Sequence, residues 1–344
     1  MRRNYTSTKT IEAALDLNLW CDEDEAVIGL KLCRLVKRSA YLTAGTEAKD
    51  GEIFAMKIAF VIVAHKFPEQ IVRLIRSLSP EAHYFIHIDR RAKAVFTEAQ
   101  RLLENTPNVF LVEKRYPCYW GQFNIVNATL ECLRTISKKG EKYDYAVLIS
   151  GQDYPIKPVS EIKLFLERNR GRQFIEAFPL MEPNRWTNQD GAYQATRRVL
   201  NWHFFFRSHR IHLPLQREIP NSLVPYGGSQ WWALTRECVD YLIDYVDTHP
   251  NVVNYFKNTF IPDELFFQTL VCNSPFRREV SGYSLSYVNW LNPNPTSPRV
   301  LTTEDFEALR KSDCLFARKF DPNRSEKLLK LVDQKLLNAE RLVK

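Results

Sequence analysis

Ile58-Ala59-Phe60-Val61-Ile62-Val63-Ala64 is the longest uninterrupted apolar run in the chain, and no other feature constrains the fold as much. It is far short of the ~18 residues needed to cross a bilayer. It matches a strand buried on both faces, as in a parallel sheet. Just beyond it, Pro68-Glu69 opens a helix with Ile71, Leu74, Ile75 and Leu78 at i, i+3, i+4 and i+7. The alternation continues. Strands are predicted at 84–88, 109–112, 145–149 and 173–177, with helices at 124–136 and 160–167. This predicts an α/β fold with a parallel or mostly parallel sheet and helices on both faces. Beyond it the pattern loosens to a strand at 230–234, a helix carrying Val239, Leu242, Ile243 and Val246, and an amphipathic helix over 321–344.

In such sheets ligands bind beyond the carboxyl ends of strands. Asp89 and the Ser150-Gly151-Gln152-Asp153 turn stand at such ends. A carboxylate at Asp89 can accept hydrogen bonds from a ribose or a base, or serve as a cap or an ion pair with Arg90 and Arg91. The chain has only 11 Gly and neither G-x-G-x-x-G nor G-x-x-x-x-G-K-[ST], so the two commonest phosphate-cradling loops are absent.

The charge is uneven. Of 48 Lys+Arg and 40 Asp+Glu, residues 1–55 hold 8 and 9, leaving 40 and 31 for the rest. The domain is expected to begin at Met56, with 1–55 an extension outside it; a genuine helical extension is the competing reading. Within 1–55, Asp22-Glu23-Asp24 has the D-x-D form of metal-dependent sugar-nucleotide enzymes, but in a solvated acidic run rather than at a strand end. No apolar h-region follows Met1-Arg2-Arg3. Seven scattered Cys without a C-x-x-C pair fit reduced thiols and a cytoplasmic setting.

Pro262-Asp263-Glu264, ahead of Leu265-Phe266-Phe267, reads either as helix capping or as a general base among aromatics. Arg299 and the Arg318-Lys319 pair are cations that, if they converge, can neutralise a leaving diphosphate without a metal. Residues 185–217 carry six Arg interleaved with Trp202, Phe204, Phe205 and Phe206, opposed only by Asp190. That stretch reads as a surface for nucleic acid, an anionic membrane or an anionic saccharide, or as a loop whose aromatics belong to the core. The net charge is too mild to favour nucleic acid. His203, His209 and His212 lack Cys or carboxylate at ligand spacing, so no metal site is expected.

In order, Ile62-Val63-Ala64-His65, His87-Ile88-Asp89-Arg90-Arg91, Tyr119-Trp120-Gly121 and Ser150-Gly151-Gln152-Asp153-Tyr154-Pro155-Ile156 resemble motifs of one family. Gly228-Ser229-Gln230-Trp231-Trp232, Pro262-Asp263-Glu264, Asn289-Trp290 and Leu315-Phe316-Ala317-Arg318-Lys319-Phe320-Asp321 extend the likeness. Together they resemble the Core-2/I-branching enzymes, a family of β-1,6-N-acetylglucosaminyltransferases and peptide O-xylosyltransferases.

The resemblance implies a GT-A glycosyltransferase fold and an inverting, metal-independent transfer from a UDP-sugar. It implies Glu264 as the base, Lys319 and Arg299 on the donor diphosphate, and His65 and Asp89 near the nucleoside. Trp290, Glu176 and Trp232 fall on the acceptor side, with Asp153 and Trp120 as further candidates. No cofactor is implied beyond the UDP-sugar. The expected partners are that donor and a saccharide, lipid-linked glycan or protein acceptor, with peripheral contact to the inner face of the membrane. The competing reading is a non-catalytic module that binds nucleotide sugars or anionic glycans.

Overall fold

The computed structural model describes residues 56–186, 192–207, 209–290 and 297–337. The expectations for 1–55, including Asp22-Glu23-Asp24, lie outside the described residues, as does the end of the C-terminal helix.

The apolar run is β1 (Ile58–Ala64), and its alternation decides the layers. Ile58, Phe60 and Ile62 face one core and Ala59 and Val61 the other. The same holds for β2 (His83–Ile88) and β4 (Tyr145–Ser150), so the sheet is sandwiched. Burying one such Ile or Phe contributes about 1.5–3 kcal/mol, and a one-residue slip would exchange the two cores throughout. Helices α1 (Pro68–Ser77), α2 (Lys93–Leu103), α3 (Asn124–Lys139) and α4 (Val159–Arg168) connect or follow these strands.

The sheet runs β3-β2-β1-β4-β11-β6, with β3 at Val109–Leu111, β6 at Phe174–Ile175 and β11 at Trp232–Thr235. β3, β2, β1 and β4 are parallel. β11 runs antiparallel to β4 and to β6, so the sheet is mostly parallel, as expected. Strand β6 is shorter than the predicted 173–177. The Gln173 side chain instead bonds Thr235 at both N (3.0 Å) and Oγ1 (3.0 Å), tying the start of that segment to the end of β11.

Short pairs follow. β5 (Tyr154–Pro155) joins β12 (Ser286–Val288) and β13 (Phe316–Arg318) in a second small sheet. β7 (Phe178–Pro179) pairs with β10 (Tyr226–Gly227). After α5 (Ala192–Leu200), strands β8 (Asn201–Phe206) and β9 (His209–Gln216) form an antiparallel hairpin that the sequence reading did not predict. Helices α6 (Arg236–Thr248), α7 (Pro250–Lys257), α8 (Phe266–Cys272), α9 (Phe306–Lys311) and α10 (Pro322–Lys335) complete the order. Arg73 on α1 clamps α10 through Glu326 (2.9 Å) and Asp333 (2.7 Å). Among the described residues no helix is long and apolar enough to cross a membrane.

Candidate active site

The carboxyl ends of β1 and β2 meet. Asp89 N donates to the Ala64 carbonyl at 2.8 Å. Beyond β1, His65 and Lys66 lead into Phe67, whose φ of 59° turns the chain sharply into Pro68. A bulky residue in the left-handed region costs about 1–3 kcal/mol, which the packed ends of β1 and α1 must hold in place.

Asp89 is nearly fully buried and fully engaged. Its oxygens accept from Arg91 N (2.8 Å), Nε (3.1 Å) and Nη2 (2.7 Å), and from Cys118 N (3.2 Å). Arg91 also donates to the Cys118 carbonyl (2.7 Å) and lies over the Tyr119 ring at 4.0 Å. Asp89 thus fastens the Tyr119-Trp120-Gly121 loop to the end of β2. Burial pushes its pKa up, but the bonds from Arg91 and Cys118 outweigh that and leave it below the ordinary carboxylate value. Beside it, burial, Lys66, Lys319 and Arg91 hold the His65 pKa below its usual value against the pull of Asp89.

The small sheet brings Lys319 here. β13 pairs with β5, and Phe320 N donates to the Gln152 carbonyl at 2.8 Å, so Arg318 and Lys319 are held against the 150–153 turn. Asp153 is fully buried; it accepts from Ser150 N and, at 2.9 Å, from Arg318 Nε. The Arg318 guanidinium lies 4.3 Å from the Trp231 ring. Lys319 Nζ donates to Ser297 at 2.8 Å. Burial, Arg318 and Lys66 bring its pKa down to about 8, against Asp153.

The second cluster comes from the C-terminal half. Ile261, at φ 54°, is a β-branched residue in the left-handed region, with its N–H held by the Gly121 carbonyl at 3.1 Å. This bend delivers the short 3₁₀ turn Pro262–Glu264. Gly228 N donates to the Glu264 carbonyl (3.0 Å), and a Cβ on Gly228 would sit 1.8 Å from the Glu176 carbonyl oxygen. Only glycine lets the backbones of Glu176 and Glu264 come so close.

Glu264 pairs with Arg198 (3.3 Å) and Glu176 with Arg185 (2.9 Å). Burial raises the Glu264 pKa, as does Glu176, while Arg198, Arg185 and Arg318 restrain it. Burial likewise lifts Glu176. Asp263, enclosed next to Glu264, is raised by burial and by that neighbour, and its Oδ1 has no hydrogen-bond partner among the described residues. The Glu264 side chain is 31% exposed and that of Glu176 21%, while Asp263 is enclosed, so Glu264 is the most open of the three to an incoming hydroxyl. The field of Arg318 acts on Glu264, Asp263 and Lys319, which links the two clusters.

The structure therefore gathers His65, Asp89, Asp153 and Lys319 on one side, and Glu176 and Glu264 on the other. Arg299 is engaged elsewhere: it bonds Glu304 (2.8 Å) and Asp305 (3.2 Å), and Asp305 belongs to the Thr302 capping box. Trp120 is 62% exposed, edge-on to Phe260. Trp290 is exposed beside Asn289, which bonds Asp305 at 2.8 Å. Trp232 is buried in the core beside Phe267. Its neighbour Trp231, buried in the same core, lies against the Arg318 guanidinium. Roles for Arg185, Arg198 and Lys66 escaped the sequence reading. The only signal for the two arginines was the basic stretch 185–217; Glu176 lies 9 residues before Arg185, and Glu264 66 residues after Arg198.

The site is thus a mostly parallel α/β sheet with cations and a raised carboxylate beyond its strand ends, an arrangement able to hold an anion and to take a proton. The chain belongs to the Core-2/I-Branching enzyme family, whose model matches residues 58–310. It is 27% identical over 320 residues to "Xylosyltransferase oxt" of Drosophila pseudoobscura pseudoobscura, covering 84% of this chain and 34% of that protein. It is 26% identical over 299 residues to "Xylosyltransferase 2" of Rattus norvegicus, covering 81% and 33%. The chain thus spans about a third of the length of these relatives. A solved structure titled "WbbM bifunctional glycosytransferase apo structure" aligns at TM-score 0.38 and 13% identity over 93% of this chain and 59% of that one, a likeness too loose to carry weight.

Proposed function

We propose that the domain transfers GlcNAc or xylose from a UDP-sugar to an acceptor hydroxyl with inversion and without a metal ion. The observation that carries this is Glu264: a partly accessible carboxylate with a raised pKa, one arginine away from Lys319. Glu264 takes the acceptor's hydroxyl proton. The acceptor oxygen forms its bond to the sugar C1 as the bond from C1 to the diphosphate oxygen breaks, and UDP leaves with that electron pair. Attack opposite the leaving group gives the β-linkage.

Lys319, with Arg318 behind it, offsets the charge developing on the diphosphate, a task otherwise given to a divalent cation. Arg299 is the weaker second cation, since two carboxylates already hold it. His65 and Asp89 border the nucleoside. Glu176 and Trp290 border the acceptor, whose identity as saccharide, lipid-linked glycan or protein is left to a binding panel. The relatives' printed names favour xylose as the sugar. A non-catalytic glycan-binding module has no use for an accessible base at Glu264.

Glu264→Gln is expected to fold and bind UDP as before while kcat falls about 10²–10⁴-fold. Full turnover in that variant rejects the base. Activity is expected to persist in excess EDTA; strict dependence on Mn²⁺ rejects the cation reading. Thermal shift across a panel of UDP-sugars identifies the donor. A cytoplasmic setting is supported by the scattered thiols, with Cys118, Cys132, Cys238, Cys272 and Cys314 all unbonded. Titrating the unreduced, denatured protein should then find every cysteine free, and a shortfall would place it in an oxidising compartment.

A further inference from the structure

The β8–β9 hairpin has two unlike faces. Directly opposed residues of an antiparallel pair share a face, and here Trp202 opposes Leu213 and Phe204 opposes Ile211. Alternation along β8 adds Phe206, and Leu215 lies beside them where the register shifts between the Asn201–Gln216 and Trp202–Leu213 pairs. All six are exposed, with Phe206 at 70%, Leu215 at 61% and Ile211 at 59%. Trp202 and Phe204 stack with ring centroids 5.6 Å apart. On the other face the β8 half is packed, with His203 buried 5.7 Å from the Phe260 ring, while β9 stays exposed there, its Arg210 guanidinium lying 3.8 Å from that ring. A strand whose outer face meets water ordinarily carries polar residues there, so this apolar face calls for an occupant.

Charge selects the occupant. The hairpin, residues 201–216, carries Arg207 and Arg210, both exposed, and no Asp or Glu; Arg198 is already paired with Glu264, and Arg217 is buried against the Val199 and Tyr255 carbonyls. Arg207, at the hairpin turn, is exposed with its guanidinium 5.7 Å from the Phe206 ring. A second copy would set Arg207 and Arg210 against like charges with no hairpin acid between them, and a neutral apolar partner would bring Arg207 at the turn no counter-charge. A bilayer with anionic headgroups matches both, the acyl boundary taking the apolar side chains and the phosphates the arginines.

We propose that the β8–β9 hairpin seats its Trp202, Phe204, Phe206, Ile211, Leu213 and Leu215 face in the headgroup region of an anionic lipid bilayer. Gln122 donates to the Arg207 carbonyl and Phe260 lies just ahead of Pro262-Asp263-Glu264, so the seated hairpin would hold the Glu264 side of the cleft at the membrane surface. The proposal concerns binding and does not rest on the transferase reading.

The test is co-sedimentation of the full chain with phosphatidylcholine vesicles, with and without phosphatidylglycerol. The wild type should be retained by the anionic vesicles and released by salt. Because both positions are exposed, the Phe206→Ser, Ile211→Ser double variant should melt like the wild type, yet bind on the order of a hundredfold more weakly. Arg207→Glu should bind anionic vesicles roughly tenfold more weakly. Acyl-chain bromines should quench more tryptophan fluorescence in the wild type than in Trp202→Phe. Any of three results overturns the proposal: no retention of the wild type, equal retention of the double variant, or a vesicle-free dimer that the double variant abolishes.

Discussion

Asp89, at the end of β2, and Glu264, after the 3₁₀ turn, are both acids in enclosed surroundings, but their neighbours treat them oppositely. Asp89 is saturated by Arg91 and a backbone N–H and is held ionised below the ordinary carboxylate range. Glu264 has one arginine at 3.3 Å and two acids nearby, and is held above that range. One carboxylate is a fastener, and the other can give and take a proton. What separates them is the number of donors that converge on each.

Experiments can break that comparison. The largest effect should follow Lys319→Ala, which costs kcat/KM about 10²–10³-fold, as for other preorganised charges on a leaving group. The same change at Arg299 should cost only a few-fold, and equal losses would show that Arg299 leaves its carboxylates for the donor.

Asp89→Asn should lower stability by about 1–3 kcal/mol in urea unfolding, since buried donors lose their acceptor. Unlike Glu264→Gln, it should give no selective loss of kcat. If the two variants lose kcat alike, the distinction fails.

The subtlest effect is on pH. Activity falls below the raised pKa of Glu264, where the base is protonated and idle. It falls again above about 8 as Lys319 of the free enzyme loses its charge. Arg198→Gln removes a cation that restrains Glu264, so the acid limb of kcat/KM should move to higher pH. A limb that stays in place or moves to lower pH would point to another base.

The regular half was legible because its signals are local. The β1 run and the four-residue face of α1 declare themselves without tertiary context. Helix α2 was missed although Val95, Phe96, Ala99, Leu102 and Leu103 form an apolar stripe on it; only Ala99 and Leu103 are fully buried, the other three packing half-buried against the core. The hairpin was missed because its apolar side chains read as core while they face outward. At the site, Asp89, Glu264 and Lys319 stood out at a strand end, in a Pro-Asp-Glu turn and in a basic pair, and motif resemblance supplied the roles proposed for them. The pairings of Arg198 and Arg185 did not stand out, because ion pairs across 66 and 9 residues leave no periodic trace. Trp232 stands in the same motif as Trp231, and the two are buried in one core.

Arg318 sits between Asp153, Trp231 and the Glu264 cluster, and this has a consequence for the order of substrate addition. An anion arriving at Lys319 weakens the positive field that Arg318 exerts on Glu264, so the glutamate becomes a stronger base once the donor is in place. By thermodynamic reciprocity, the donor is then held more tightly when Glu264 carries its proton. On the proposed reading, with Glu264 as the base and Lys319 on the diphosphate, a domain built this way keeps its base restrained until there is a sugar to transfer, and favours a sequence in which donor precedes acceptor.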